Sequence, residues 1–146
     1  MKITVGTTIE SSIEKVKQNF NKELFLALTP PWIKMELLRY DGNQVGDEIH
    51  LELQFPFKKF SWVSLIVDYQ ENPLEISFID VGKVLPPFLK SWHHLHIIRR
   101  LNEKQTLLID DVTFEAIRPE LNPLLWPGIY TMLAYRKLIY PKYCIK

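Results

Sequence analysis

Hydrophobic and polar residues alternate along this chain with two different periods, and the changes of period divide it into elements. Residues 2–10, KITVGTTIE, alternate like a short strand. Ser11 and Glu14 stand three positions apart, as in a capping box, and predict the start of a short helix. The residues on one face of that helix are Ile13, Val16, Lys17 and Phe20. A second short helix is predicted through Leu24, Phe25 and Leu28, and the TPP that follows ends it.

From Trp32 to about Ala116 the period is two, which is typical of half-buried strands. The clearest alternation is in EIHLELQF, residues 48–55, and one predicted strand precedes it. Four more follow in SWVSLIVDYQ, LEISFIDVG, LKSWHHLHIIRR and QTLLIDDVTFEAI, parted by ENP, GKVLPP and LNEK. Consecutive strands with such short connections indicate an antiparallel meander.

The C-terminal segment returns to helical spacing and predicts one long helix, with Pro141 marking its end. The residues along its apolar side are Ile129, Met132, Leu133, Arg136 and Ile139. This order of elements predicts a single α+β domain over residues 1–146, in which the long helix covers the apolar face of the sheet. A curved sheet that closes around a helix leaves a cavity, and such cavities are common ligand sites.

Composition narrows the classes of partner. The chain has 18 basic and 17 acidic residues, and the basic ones are scattered, so no nucleic-acid partner is expected. The single cysteine, Cys144, cannot form an intramolecular disulfide. No apolar stretch suits a signal peptide or a membrane span, so a cytoplasmic protein is expected.

The order of elements resembles the helix-grip fold of the SRPBCC superfamily, which includes START-like and birch-pollen-allergen-like ligand binders and polyketide cyclases. More narrowly, residues 78–97, FIDVGKVLPPFLKSWHHLHI, and 106–114, TLLIDDVTF, resemble a bacterial ligand-binding subgroup sometimes labelled cell-division-inhibitor-like. The matching positions are Phe78, Asp80, Pro87, Phe88, Trp92, His94, His96, Thr106, Asp110, Val112 and Phe114, with Leu28, Thr29, Pro30 and Arg136 outside the two segments. Pro86 departs from the glycine that is usual in the subgroup.

The resemblance implies a curved antiparallel sheet of about seven strands around a long C-terminal helix. It also implies a cavity that binds an apolar or amphipathic small molecule. A minority of the superfamily catalyse cyclisation or dehydration, and no cofactor is expected.

Alternation in two strands directs carboxylates toward the core. Asp110 shares its face with Val112 and Phe114, and Asp80 shares its face with Phe78. Buried carboxylates need partners, because an unpaired charge in an apolar environment is costly.

Three of the four histidines lie in SWHHLHIIRR, residues 91–100. Leu95 and Ile97 occupy one face of this predicted strand, and Trp92, His94, His96 and Ile98 occupy the other. Periodicity alone does not say which face is inward. If the tryptophan face is inward, His94 and His96 point to the core from a strand that lies between the strand of Asp80 and the strand of Asp110. Imidazole–carboxylate hydrogen bonds would then satisfy all four groups, and we favour this arrangement as a structural polar network.

Two sharper interpretations use the same atoms. His94 and His96 with one aspartate could form a 2-His-1-carboxylate metal site, but that face has no third histidine, so no metal is expected. Alternatively, either histidine with Asp80 or Asp110 could act as a catalytic acid–base pair on a bound ligand. His93 has the opposite parity and is expected to face outward without a role.

Arg136 lies on the apolar side of the last helix, where it could reach water, pair with a carboxylate, or anchor a ligand's carboxylate or carbonyl. The residues predicted to bind ligand are Phe78, Asp80, Trp92, His94, His96, Asp110, Phe114, Met132 and Arg136.

Three functions remain open. The leading one is a module that binds an apolar or amphipathic small molecule, and the second is an enzyme of the polyketide cyclase or dehydratase kind. The third is a protein-interaction domain, including a homodimer, that uses the outer sheet face. The apolar residues expected on that face are Leu95, Ile97, Leu107 and Ile109.

Overall fold

A computed structural model describes residues 1–145 of the chain. It contains one seven-stranded antiparallel sheet with the strand order β1-β7-β6-β5-β4-β3-β2, two short helices and a long C-terminal helix. The elements are β1 Lys2–Ile9, α1 Ile13–Gln18, α2 Lys22–Ala27, β2 Met35–Tyr40, β3 Glu48–Gln54, β4 Lys59–Asn72, β5 Glu75–Val84, β6 Leu89–Asn102, β7 Gln105–Ala116, a 3-10 turn Pro119–Leu121 and α3 Asn122–Tyr143. The predicted α+β fold class and order of elements are confirmed.

Strands β2 to β7 form a meander in which each strand pairs with the next along the chain. β1 pairs with β7, so the first and last strands are neighbours at one edge of the sheet. β6 therefore lies between β5 and β7, where His94 is opposite Asp80 and His96 is opposite Asp110.

The predicted capping box at Ser11 is wrong by one residue. Ser12 caps α1, because its Oγ accepts a hydrogen bond from the backbone N–H of Lys15 at 3.3 Å. The carbonyl of Ser11 instead accepts from the buried hydroxyl of Thr106 at 2.8 Å. This bond keeps Ser11 with the sheet, so the chain turns into the helix one position later.

The predicted end of the last helix at Pro141 is also wrong, since α3 continues to Tyr143 with Pro127 and Pro141 inside it. A proline within a helix removes one backbone hydrogen bond. Near the C-terminus that loss is outweighed by packing, because Tyr140 and Cys144 are fully buried and the amide of Cys144 still donates to the carbonyl of Tyr140.

The buried side chains form two apolar clusters. The first includes residues of α1, α2 and the end of α3, and the second includes residues of β1, β7 and the middle of α3. Ile98 and Leu108 belong to the first cluster, whereas Trp92 and Val112 belong to the second. The inward positions between these residues on β6 and β7 hold the polar side chains, so the polar groups lie between two apolar regions.

The tryptophan face of β6 points inward. Trp92, His94 and His96 are 6 %, 3 % and 9 % exposed, whereas His93 is exposed. Asp80 and Asp110 are buried as well, at 8 % and 2 % exposure.

Among residues 1–145, no helix combines the length and the apolar character needed to cross a membrane.

Replacing His94 or His96 with alanine is expected to lower the free energy of unfolding by about 1–3 kcal/mol, because each change leaves a buried carboxylate without an imidazole partner. Replacing the exposed His93 is expected to change it by less than about 0.5 kcal/mol. Urea unfolding of the three single variants measures the difference. Equal and negligible losses at all three positions would contradict the inward orientation of this face.

Candidate functional site

A cavity of about 770 Å³ lies under α2 and α3, against the inner face of β2 to β6. Most of its lining is apolar, and the apolar lining residues include Leu24, Leu28, Leu51, Leu53, Ile66 and Phe78. α3 contributes only Met132 and Arg136 to the lining. The volume falls in the range of roughly 300–1,000 Å³ that is common for small-molecule sites.

The cavity opens toward the β3–β4 turn. The lining residues that are exposed to solvent are Asn21, Trp32, Lys34, Phe55, Pro56 and Lys59. All but Asn21 come from the segment before β2, from the β3–β4 turn and from Lys59, the first residue of β4. The ionisable side chains of Asp80, His94 and His96 lie at the buried end of the same cavity.

The histidines bond to the two aspartates along diagonals of the sheet. Nε2 of His94 is 2.9 Å from Oδ1 of Asp110, and Nε2 of His96 is 2.6 Å from Oδ2 of Asp80. The imidazole rings stack with their centroids 3.6 Å apart. Because ionised carboxylates only accept, each Nε2 is assigned as the N–H donor and each Nδ1 as the nitrogen with a free lone pair.

Asp110 connects β7 to α3. Its Oδ1 accepts from Nη1 of Arg136 at 2.7 Å, and its Oδ2 accepts from the hydroxyl of Tyr140 at 3.0 Å. Arg136 and Tyr140 are four positions apart and therefore share one face of the helix. Of the three roles considered for Arg136, the structure shows pairing with a carboxylate.

Burial and neighbouring charges shift the protonation of these groups. Burial is the main cause that lowers the pKa of His94 to about 4, and the adjacent His96 lowers it further. Burial alone would raise the pKa of Asp110, but the Arg136 guanidinium and the bond from His94 outweigh it and hold the pKa well below its ordinary value. The pKa of Asp80 is also lowered, because its bond to His96 and the nearby charges outweigh burial. At neutral pH both carboxylates are therefore ionised and His94 is neutral.

Seven of the nine residues predicted for ligand binding line the cavity, namely Phe78, Asp80, Trp92, His94, His96, Met132 and Arg136. Asp110 and Phe114 are not among the lining residues. Phe114 is fully buried in the second apolar cluster. Asp110 is linked to the cavity through its bonds to His94 and Arg136, which both line it.

Asp80, His94 and His96 can each offer one ligand atom, and these atoms lie within 4.8 Å of one another. This donor set matches a 2-His-1-carboxylate site. Its atoms are already used for hydrogen bonding, however, since Oδ2 of Asp80 and Nε2 of His96 are only 2.6 Å apart. The positive charge of Arg136 also acts on Asp80, so the cluster carries its own cation.

Tyr140 was missed by the sequence analysis, although it completes the bonding of Asp110. Its spacing of four from Arg136 was the available signal, because that spacing places both on one helical face. Trp32 and Phe55 at the mouth were not among the predicted site residues. Both were placed in the alternating region, but β2 begins only at Met35 and β3 ends at Gln54, so the two side chains lie on connecting segments.

The four apolar residues expected on the outer sheet face, Leu95, Ile97, Leu107 and Ile109, are each partly exposed.

Comparison with models of protein families finds no match, and neither does comparison with curated proteins. Solved structures are similar in fold. An aromatase/cyclase, Zhui, from Streptomyces sp. R1128 is 14 % identical with a TM-score of 0.74, over 99 % of this chain and 93 % of that one. A START superfamily protein from Mycobacterium smegmatis is 14 % identical with a TM-score of 0.70, over 97 % and 94 %. A norcoclaurine synthase point mutant from Thalictrum flavum is 13 % identical with a TM-score of 0.69, over 99 % and 93 %.

Sequence identities this low show a shared fold and do not show a shared activity. The chain has the helix-grip fold of the SRPBCC superfamily.

Proposed function

We propose that this protein binds an amphipathic small molecule in the cavity, with its apolar body against the sheet and its polar end at Asp80, His94 and His96. The observation that carries the proposal is the distribution of the lining. Apolar side chains cover most of the cavity, Lys34 and Lys59 lie at its exposed mouth, and Asp80, His94 and His96 lie together at its buried end. A few convergent polar groups in an apolar pocket are typical of sites that fix the orientation of a ligand.

The polar end of the cavity favours a ligand that donates hydrogen bonds. Asp80 accepts one side-chain hydrogen bond, from His96, and a carboxylate has room for several. Nδ1 of His94 carries a lone pair and lies 3.7 Å from the Asp80 carboxylate, beyond hydrogen-bond length. Arg136 has a buried Nε without a hydrogen-bond partner, but Asp110 balances its charge, and the ionised Asp80 nearby repels an anion. The complementary ligand group is therefore a hydroxyl or an amine rather than a carboxylate.

Catalysis of the cyclase or dehydratase kind is the second candidate, and the contact of Asp80, His94 and His96 with the cavity favours it. Two of the similar structures, the aromatase/cyclase and the norcoclaurine synthase, carry enzyme names. The protonation of the site favours binding instead. A histidine with a pKa of about 4 is neutral at pH 7 and is a poor proton donor there.

The purified protein is expected to bind one equivalent of an uncharged apolar dye such as Nile red. Leu51→Trp fills the cavity from β3 and should weaken that binding by about tenfold or more. Leu95→Trp makes the same change on the outer face of β6 and serves as the control. Fluorescence titration measures both. If the wild type does not bind, or if both variants bind equally well, the cavity is not the site.

A long-chain alcohol is expected to bind more tightly than its methyl ether by about tenfold, because only the alcohol donates a hydrogen bond to the polar end of the cavity. Asp80→Asn should reduce this preference, since a neutral acceptor makes a weaker bond than a carboxylate does. Displacement of the dye by the two compounds measures the ratio. A preference for the ether, or for the matching fatty acid over the alcohol, would contradict the assigned polarity.

Stability is expected to fall as the pH falls through the range where His94 differs between the folded and unfolded chain. The unfolded chain takes up a proton near pH 6.5, whereas folded His94 does so only near pH 4. The free energy of unfolding should therefore fall by on the order of 2–3 kcal/mol between pH 7 and 4.5. Urea unfolding should show a smaller fall in His94→Gln and an unchanged fall in the control His93→Gln. The same fall in all three proteins would show that His94 is not held neutral.

A further inference from the structure

The turn between β3 and β4 presents an exposed aromatic side chain beside the mouth of the cavity. Phe57 at its tip is fully exposed to solvent. The turn is closed by a hydrogen bond from the N–H of Phe55 to the carbonyl of Lys58 at 2.9 Å. The ring of Phe55 also packs edge-on against Phe60 and Phe88, with centroids 5.4 and 6.4 Å away. The base of the turn is therefore anchored, and Phe57 projects from a fixed support.

Basic side chains surround this aromatic tip. Lys58 and Lys59 follow Phe57 and are exposed. Lys34 is exposed on the other side of β3, where its carbonyl accepts from the N–H of Gln54, the residue that pairs with Lys59. Neither residues 28–35 nor residues 53–60 include an acidic residue. Glu52 lies 3.7 Å from the Lys59 ammonium, and Glu36 of β2 is opposite Glu52, so three lysines stand against two carboxylates here. The tip therefore carries a local positive charge, although the chain as a whole has a formal net charge of only +1.

We propose that this basic aromatic tip, formed by Lys34, Phe57, Lys58 and Lys59, docks on the surface of an anionic lipid bilayer. An aromatic ring that can enter the interface, next to ammonium groups at the level of the headgroups, is the combination that binds such surfaces. The partner is a lipid surface rather than a second copy of the chain, since two tips would bring lysines against lysines. No part of the chain has to cross the bilayer for this contact.

The tip lies beside the mouth of the cavity, so a bilayer bound there would be close to the ligand site. Phe55 and Pro56 of the same turn, and Lys59 at the start of β4, line the cavity and are exposed at its mouth. A bilayer in contact with Phe57 would therefore face the opening. An apolar molecule dissolved in the bilayer could then pass into the cavity without crossing water, which would otherwise cost about 25 cal/mol for each Å² of apolar surface.

Co-sedimentation with vesicles tests the proposal directly and needs no knowledge of the ligand. The protein is expected to bind vesicles of mixed phosphatidylglycerol and phosphatidylcholine and to leave pure phosphatidylcholine vesicles in solution. Added salt should weaken the binding. Lys58→Glu/Lys59→Glu should lower the partition coefficient by about tenfold or more, and Phe57→Ser should lower it by about fivefold.

Control variants change an exposed apolar residue and exposed lysines away from the mouth. Leu74→Ser lies in the β4–β5 turn, and Lys15→Glu/Lys104→Glu alters two exposed lysines outside the mouth. These variants should bind vesicles as the wild type does. Equal losses in control and tip variants, absence of binding to anionic vesicles, or a dimer that Phe57→Ser converts to a monomer would each overturn the proposal. Nile red binding by the tip variants reports separately on the cavity, so failure of one proposal does not imply failure of the other.

Discussion

The bonding of Asp110 is the interaction on which the rest of the structure depends. One carboxylate accepts from His94 on β6 and from Arg136 and Tyr140 on α3, and it stands on β7 itself. It therefore ties the long helix to the centre of the sheet at one defined position. The attraction within the apolar clusters on either side is non-directional, whereas these hydrogen bonds fix both the distance and the direction between α3 and the sheet. Replacing one member alone would leave a buried charge without its partner, which is costly.

That attachment also explains where the cavity lies. α3 packs against β1 and β7, and it contributes only Met132 and Arg136 to the cavity lining. The inner face of β3 carries Ile49, Leu51 and Leu53, yet α3 packs on β1 and β7 instead. α2 and the segment around Trp32 lie over β3 and β4 without filling the space between, and that space is the cavity. If α3 lay further across the sheet, it would fill this space. The bonds of Asp110 to α3 therefore determine which half of the sheet is packed against the helix and which half faces the cavity.

Alternation predicted the fold and part of the site, because it depends only on which face of a strand is buried. It placed Asp80 and Asp110 inward, and the need of these carboxylates for donors then favoured the correct face of β6. The diagonal pairing of His94 with Asp110 could not be predicted, since it depends on how two stacked rings share the space between three strands. The cap at Ser12 and the continuation of α3 past Pro141 depend on contacts with distant parts of the chain, and local preference alone does not include them.

The two ends of the cavity differ in what they bury: the inner end buries charged groups, and the outer end leaves aromatic side chains exposed. A bound molecule would therefore have one preferred orientation. At the inner end, the cost of burying charges is offset by pairing them, which leaves Asp80 able to accept further bonds toward the cavity. At the outer end, Trp32 and Phe57 remain exposed although burial would stabilise them. Folding gains nothing from an aromatic side chain held in water on an anchored turn. Burial of Phe57 would therefore stabilise a complex with a surface that contacts the mouth, and the lysines around Phe57 favour a negatively charged surface.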